Sequence, residues 1–195
     1  MRGLYAAGVV AAVAKVAALL ARGNAAWGSF ATARGLRFMP AVPGWMGARS
    51  VLRVDGAQDG VPFALLLYPD HVSQYFGTAV LAFPPRPVPG HLEVTRAGAL
   101  SRIATAFGAQ DLEVGVATFD AAFVVKGTNV TTARRLLSPS LCAEFLALEA
   151  QFLGYDDGSE PQHSAHAMLE ISGVVTDGAI LDRASRTMTA FARTA

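Results

Sequence analysis

Ser50-Val51-Leu52-Arg53-Val54-Asp55-Gly56-Ala57-Gln58-Asp59-Gly60-Val61-Pro62-Phe63-Ala64-Leu65-Leu66-Leu67-Tyr68 is the stretch that decides the class of fold. Two β-favouring runs, 50–54 and 61–68, flank a loop from Asp55 to Gly60 whose two glycines suit positive φ, so the stretch predicts a hairpin. Tyr75 to Phe83 is a third apolar run. Beyond it Pro84, Pro85, Pro87 and Pro89 remove ladder donors and predict an extended connector that leaves the sheet. Strand character returns at 90–95, 112–126 and 165–173, and in the second of these Phe119, Ala121, Phe123 and Val125 share one side of a pleat. Strands followed by helices, without regular βαβ alternation, predict an α+β fold: an antiparallel-rich sheet packed against C-terminal helices.

Helical spacing marks the other segments. Trp27, Phe30 and Ala31 share a face within 25–34, and Gly35 supplies the stop. Leu100, Ile103, Ala104 and Phe107 form a one-face pattern closed by Gly108. Asn129 to Leu137 reads as a short helix, and Ser138-Pro139 restarts helix with a stripe of Leu141, Phe145, Leu148 and Phe152. Asp177 to Arg193 closes the chain with an acid-first, arginine-last order that suits the helix dipole.

At the other end, Lys15 is the only charge between Leu4 and Leu20. This divides the chain into an Ala-rich hydrophobic N-terminal helix, residues 1–23, serving as an anchor or docking segment, and a single α+β domain, residues 24–195. Leu4, Val9, Val13, Lys15, Leu19 and Leu20 are the candidate contacts to a membrane or to a partner protein, within residues 4–22. A secretory signal fits poorly, because the apolar core is long, contains Lys15 and leads only to a poor cleavage site near Asn24 and Ala25. A membrane anchor has the right length. Ala and Gly add little insertion energy, however, and a central Lys costs roughly 2.5 to 3.5 kcal/mol unless it snorkels or finds a partner. Ala6, Ala7, Gly8, Ala11, Ala14 and Ala18 also allow close approach of another helix, as in a homo- or hetero-oligomer. Arg22, Arg34 and Arg37 follow the segment and Arg2 precedes it, a balance that leans toward a membrane-associated domain on the cytoplasmic side.

A chain of 195 residues accommodates one domain plus an appendage. With 16 Lys and Arg against 15 Asp and Glu, the net charge of +1 gives no field for nucleic acid, and no basic stretch is interleaved with aromatics. Cys142, the single cysteine, excludes an intramolecular disulfide framework and a cysteine zinc cage.

Four motifs occur in order: Trp27-x-x-x-Ala31-x-x-x-Gly35-Leu36-x-Phe38; Gly56 with Gly60-x-Pro62; Phe119-Asp120-x-x-Phe123-x-Val125; and Ala133-Arg134-x-Leu136-Leu137-Ser138-Pro139. In these the chain resembles a family of uncharacterised bacterial domains of unknown function, often with an N-terminal hydrophobic segment. The resemblance spans roughly residues 25 to 193. It implies an α+β domain and a membrane tether, and it carries over no catalytic residues.

Chemistry is therefore sought residue by residue. Cys142, early in the helix that Ser138-Pro139 starts, is a candidate nucleophile, but its place beside Leu141 and Phe145 favours a buried, inert thiol. Asp120 is a candidate general base between Phe119 and Phe123, although capping a turn or pairing with Arg134 or Arg135 is the plainer role. Asp156, Asp157, Glu160, His163 and His166 gather oxygen and nitrogen donors that a divalent cation would accept, at a spacing that matches neither a helical zinc motif nor an EF-hand. A solvated connecting loop is the simpler reading. Asp70, His71 and Ser73 form a triad in name only, and Asn129 or Thr128 is better placed to cap a helix than to carry a glycan. Neither common nucleotide-binding glycine motif is present, and no cofactor is implied. The expectation is a non-catalytic, membrane-tethered or assembly-associated binding or scaffold domain. The rivals are a small hydrolase or metal-dependent enzyme built on the 156–166 loop, and a soluble ligand-binding domain with an apolar pocket.

Overall fold

The computed structural model describes residues 2–44, 47–48, 52–70, 75–97, 110–159 and 164–195. Helix α1 (Arg2–Arg34) runs unbroken for 33 residues and ends at Gly35, whose φ of +64° supplies the expected stop. Strands β1 (Arg37–Met39), β4 (Arg53–Gln58), β5 (Val61–Asp70), β6 (Tyr75–Ala82) and β7 (His91–Arg96) follow, with a small ribbon of β2 (Pro43–Gly44) and β3 (Gly47–Ala48) set apart. Then come β8 (Gln110–Asp111), α2 (Ala117–Ala122), β9 (Phe123–Gly127), α3 (Val130–Leu136), α4 (Pro139–Ala147), β10 (Phe152–Asp156), β11 (His166–Ser172) and α5 (Gly178–Thr194). The helical pattern at Leu100 to Gly108 lies outside the described residues, as do His71, Ser73, Glu160 and His163.

Among the described residues, nine strands form one sheet in the order β1-β4-β5-β6-β11-β10-β7-β9-β8, every neighbouring pair antiparallel. The fold is thus α+β with an antiparallel sheet. The β4–β5 hairpin is tighter than the sequence implies: Gln58 pairs with Val61, leaving Asp59 (φ +51°) and Gly60 (φ +78°) as a two-residue turn. Gly56 lies inside β4 rather than in the turn, and a β-carbon there would press on the end of the Leu36 side chain.

Alternation sets the two faces of the sheet. Val54, Leu65, Val80, Leu169, Leu153, Val94 and Val125 follow one another across the strands and are all buried. Helix α5 covers this face over β4, β5, β6 and β11, and α1 and α4 pack beside it. Trp27 is fully buried, and its indole N–H donates to the Val175 carbonyl at 2.7 Å. Phe191 on α5 makes edge contacts with Phe145 on α4 and Tyr155 on β10.

Two segments depart from the sequence reading. The expected strand 112–126 is broken: Ala117–Ala122 is helical, and Phe119 stacks on Phe123 at 4.7 Å, the i, i+4 spacing of a helical turn rather than of a pleat. The expected helix through Phe152 ends at Ala147. Glu149 takes a left-handed φ of +53°, and the Ala150 N–H donates back to the Phe145 carbonyl, so the chain turns directly into β10. Phe152 is therefore a half-buried strand residue, not part of the α4 stripe.

Phe145→Ala should accordingly lower the unfolding free energy by about 3 to 5 kcal/mol in urea titration, and Phe152→Ala by roughly half of that or less. Equal effects would place Phe152 in the helical core after all.

Candidate functional site

Two concavities on the described surface are lined mainly by polar residues. One, of about 580 Å³, opens where the Pro-rich connector, the start of α3 and the end of β10 meet, and is lined by Pro89, Gly90, His91, Thr128, Asn129, Asp156, Asp157 and Ser159. The sheet register builds it: Asp156 pairs with His91 on one side and His166 on the other. Tyr155, adjacent and buried, donates its hydroxyl to the Val88 carbonyl at 2.6 Å and pins the connector that forms one wall. Burial, and then the Asp157 charge, pushes that phenol up to about 12.

The carboxylates of the cleft are held by main-chain donors. Asp157 accepts from Gly90 N–H at 2.7 Å and Ser159 N–H at 2.9 Å, and Asp156 accepts from Gly158 N–H at 2.7 Å. The Ser159 hydroxyl and these amides keep the Asp157 carboxyl below its ordinary value of 3.8. Asn129 caps α3 by accepting from Thr132 N–H at 2.7 Å, and Thr128 accepts from His91 N–H at 2.7 Å. His91 Nε2 lies 3.3 Å from Glu93, and the Ser164 carbonyl accepts from His166 Nδ1 at 2.9 Å. Among the described residues, no three His, Cys, Asp or Glu side chains converge as metal ligands.

The second concavity, about 650 Å³, is a groove between α4 and α5. Glu144 and Arg183 bridge it with a 2.6 Å ion pair, and Arg183 holds the Glu144 carboxyl below the usual range. Arg186 stands in the same groove and pairs with Asp182, which also binds Arg34 of α1. Exposed pairs of this kind contribute little stability each, so their main effect is to order the α1/α5 and α4/α5 seams.

The other candidates stand apart. Asp120 accepts from Val114 N–H at 3.0 Å and Gly115 N–H at 2.9 Å, closing the turn before α2, and Arg134 reaches the Glu113 carbonyl instead. Cys142 is fully buried, its thiol directed at the Leu137 carbonyl, and burial followed by the Asp120 charge pushes it up to about 11. It is a protonated thiol at neutral pH. On α1, Leu20 is 1% exposed and belongs to the domain's own core, so it is not open to a membrane or partner. Leu19 is half-buried and Lys15 exposed; the side chains of Leu4, Val9 and Val13 lie outside the described ones. His91 escapes a reading by sequence, since only the β7–β10 register brings it beside a residue 65 positions away.

No protein-family model matches the chain, and no curated protein matches it. The architecture is that of an α+β domain in which α5, with α1 and α4 beside it, covers one face of the nine-stranded sheet. Among solved structures it is similar to the crystal structure of the mycobacterial trehalose monomycolate transport factor A, TtfA, with a TM-score of 0.56 and 13% identity over 84% of this chain and 89% of that one. At that identity the likeness is one of fold.

Two tests follow from the site. Cys142 should resist iodoacetamide at pH about 8 in the native protein and label fully in denaturant; rapid native labelling would show an accessible thiolate. The folded value of Asp157 lies below its unfolded value, so its stabilisation is present above about pH 4 and lost as pH falls through the folded value. Wild type should therefore be more stable than Asp157→Asn at neutral pH, and the difference should shrink in acid.

Proposed function

We propose that this chain is a non-catalytic binding or scaffold domain, held at a membrane or in an assembly by the N-terminal part of α1, with an accessory role in transport. The observation that carries this is the continuity of α1. Its second half is locked into the domain by Leu20, Trp27, Phe30 and Ala31, while Ala14, Lys15, Ala17 and Ala18 are exposed one or two turns earlier. An apolar segment joined without a break to a packed helix positions the whole domain wherever that segment docks. The fold likeness to a transport factor and the motif resemblance to bacterial domains with N-terminal hydrophobic segments support the reading. So does the site chemistry, in which Asp120, Cys142, Asp156 and Asp157 each serve the local structure. Among the described residues, no helix is long and apolar enough to cross a membrane.

Comparison of the full chain with one beginning at Ala14, which keeps every buried residue of α1 described above, tests the proposal by fractionation and sizing. The full chain should sediment with membranes or elute as an assembly. The shortened chain should be a monomer with an unchanged unfolding midpoint. A full-length protein that is monomeric and soluble without detergent would refute the tether.

A further inference from the structure

We infer that the outer side of α1 lies flat along the headgroup layer of an anionic bilayer, so that the domain rests on the membrane by its helical side. This depends on the tether reading above and deepens it by naming the partner surface and the orientation. From Ala14 onward the side chains of α1 divide into two sets. Leu20, Trp27, Phe30 and Ala31 are buried in the domain, whereas Lys15, Ala18, Arg22, Ala25 and Ser29 are all exposed. Those five recur at i, i+3, i+7, i+10 and i+14, so they form one stripe that runs about 21 Å along the helix.

Charge and side-chain size select the partner. α1 has no Asp or Glu in its 33 residues. Lys15 and Arg22 join no ion pair among the described residues, whereas Arg34, at the end of the same helix, is paired with Asp182. The rest of the stripe is Ala18, Ala25 and Ser29, too short to hold the two cations away from a plane and without an aromatic anchor to fill a protein pocket. Long cationic side chains on a smooth helix suit a soft anionic surface, where each can extend to a phosphate. The domain is polarised in the same sense. From Lys15 onward the helices hold eight Lys and Arg against three Asp and Glu, whereas the strands hold four against six. α5, with α1 and α4 beside it, covers one face of the sheet, so an anionic plane attracts that side more than the other. Lying flat also keeps the cations of α1 in the headgroup layer, and no charge enters hydrocarbon.

The test uses full-length protein and vesicles of phosphatidylcholine with or without phosphatidylglycerol. Flotation should show binding to the anionic vesicles, weakened about thirty-fold in a Lys15→Gln/Arg22→Gln double variant, since each cation near an anionic surface contributes close to fivefold. Both residues are exposed, so the unfolding midpoint should not change. Orientation is read from Ala18→Cys, Ser29→Cys and Ser172→Cys, each labelled with bimane while Cys142 stays buried, on vesicles with a nitroxide quencher in the headgroup. Ser172 is exposed at the end of β11, and its neighbour Ile171 points into the core, so Ser172 stands on the opposite face of the sheet. Ala18 and Ser29 should be quenched alike, and Ser172 spared. Quenching that falls away from Ala18 to Ser29, about 16 Å further along the helix, would overturn the flat orientation and leave the tether standing. Equal binding to neutral and anionic vesicles, or a double variant that binds as wild type does, would overturn the role of Lys15 and Arg22. Failure to float, with a detergent-independent oligomer in its place, would overturn the membrane reading in favour of a protein partner.

Discussion

The pairing of the β10–β11 hairpin into the gap between β6 and β7 is the constraint on which the molecule depends. β6 pairs with β11 from Gly77 to Ala82, and β7 pairs with β10 from His91 to Thr95. Without the hairpin, the β4-β5-β6 meander and the β7-β9 pair would each end in an unpaired edge of buried-strand character, an arrangement that invites wrong pairing. The Pro-rich connector permits the insertion. It carries the chain from β6 to β7 across the width of two strands with prolines at 84, 85, 87 and 89 that offer no amide donor, and Tyr155 of the inserted hairpin ties it down through the Val88 carbonyl.

Once the sheet is continuous, a single apolar face spans it, and the helices have one place to go. α5 takes the centre and makes contact with α1, α3 and α4. Trp27 joins the first helix to the segment before the last through a buried hydrogen bond between residues 148 positions apart. The second half of α1, through Leu20, Trp27, Phe30 and Ala31, is thereby part of the core. That shared role limits how far α1 can extend from the domain.

The same economy governs the polar groups. Asp120, Asp156, Asp157 and Asn129 all accept backbone N–H donors at turns or helix starts, where such groups would otherwise stand unsatisfied. Asp120, Asp156 and Asp157, candidates in a linear reading, each hold a turn or loop through these bonds. The described surface includes a polar cleft, an ion-paired groove and exposed cations on α1.

The sequence by itself determined the elements whose signals are local. Apolar, β-favouring runs marked β5 and β6, and strand character marked β7 and β11; Ser138-Pro139, Asn129 and Asp177 marked the starts of α4, α3 and α5; and Gly35 marked the end of α1. Burial of Cys142 was also legible, because Phe145, three residues further along the helix, shares its face. Tertiary structure alone decided the rest. The end of α4 is written in no glycine or proline, since Glu149 takes the left-handed turn under the demand of β10 for its place in the sheet. Phe119 and Phe123 satisfy a pleat and a helix equally well in sequence; the fold places Phe119 in α2 and Phe123 at the start of β9, with the two rings stacked. His91 meets Asp156, and Leu20 turns from a lipid-facing candidate into a core residue, only through long-range pairing. Periodicity records which side of an element is apolar; it does not record which surface will cover that side.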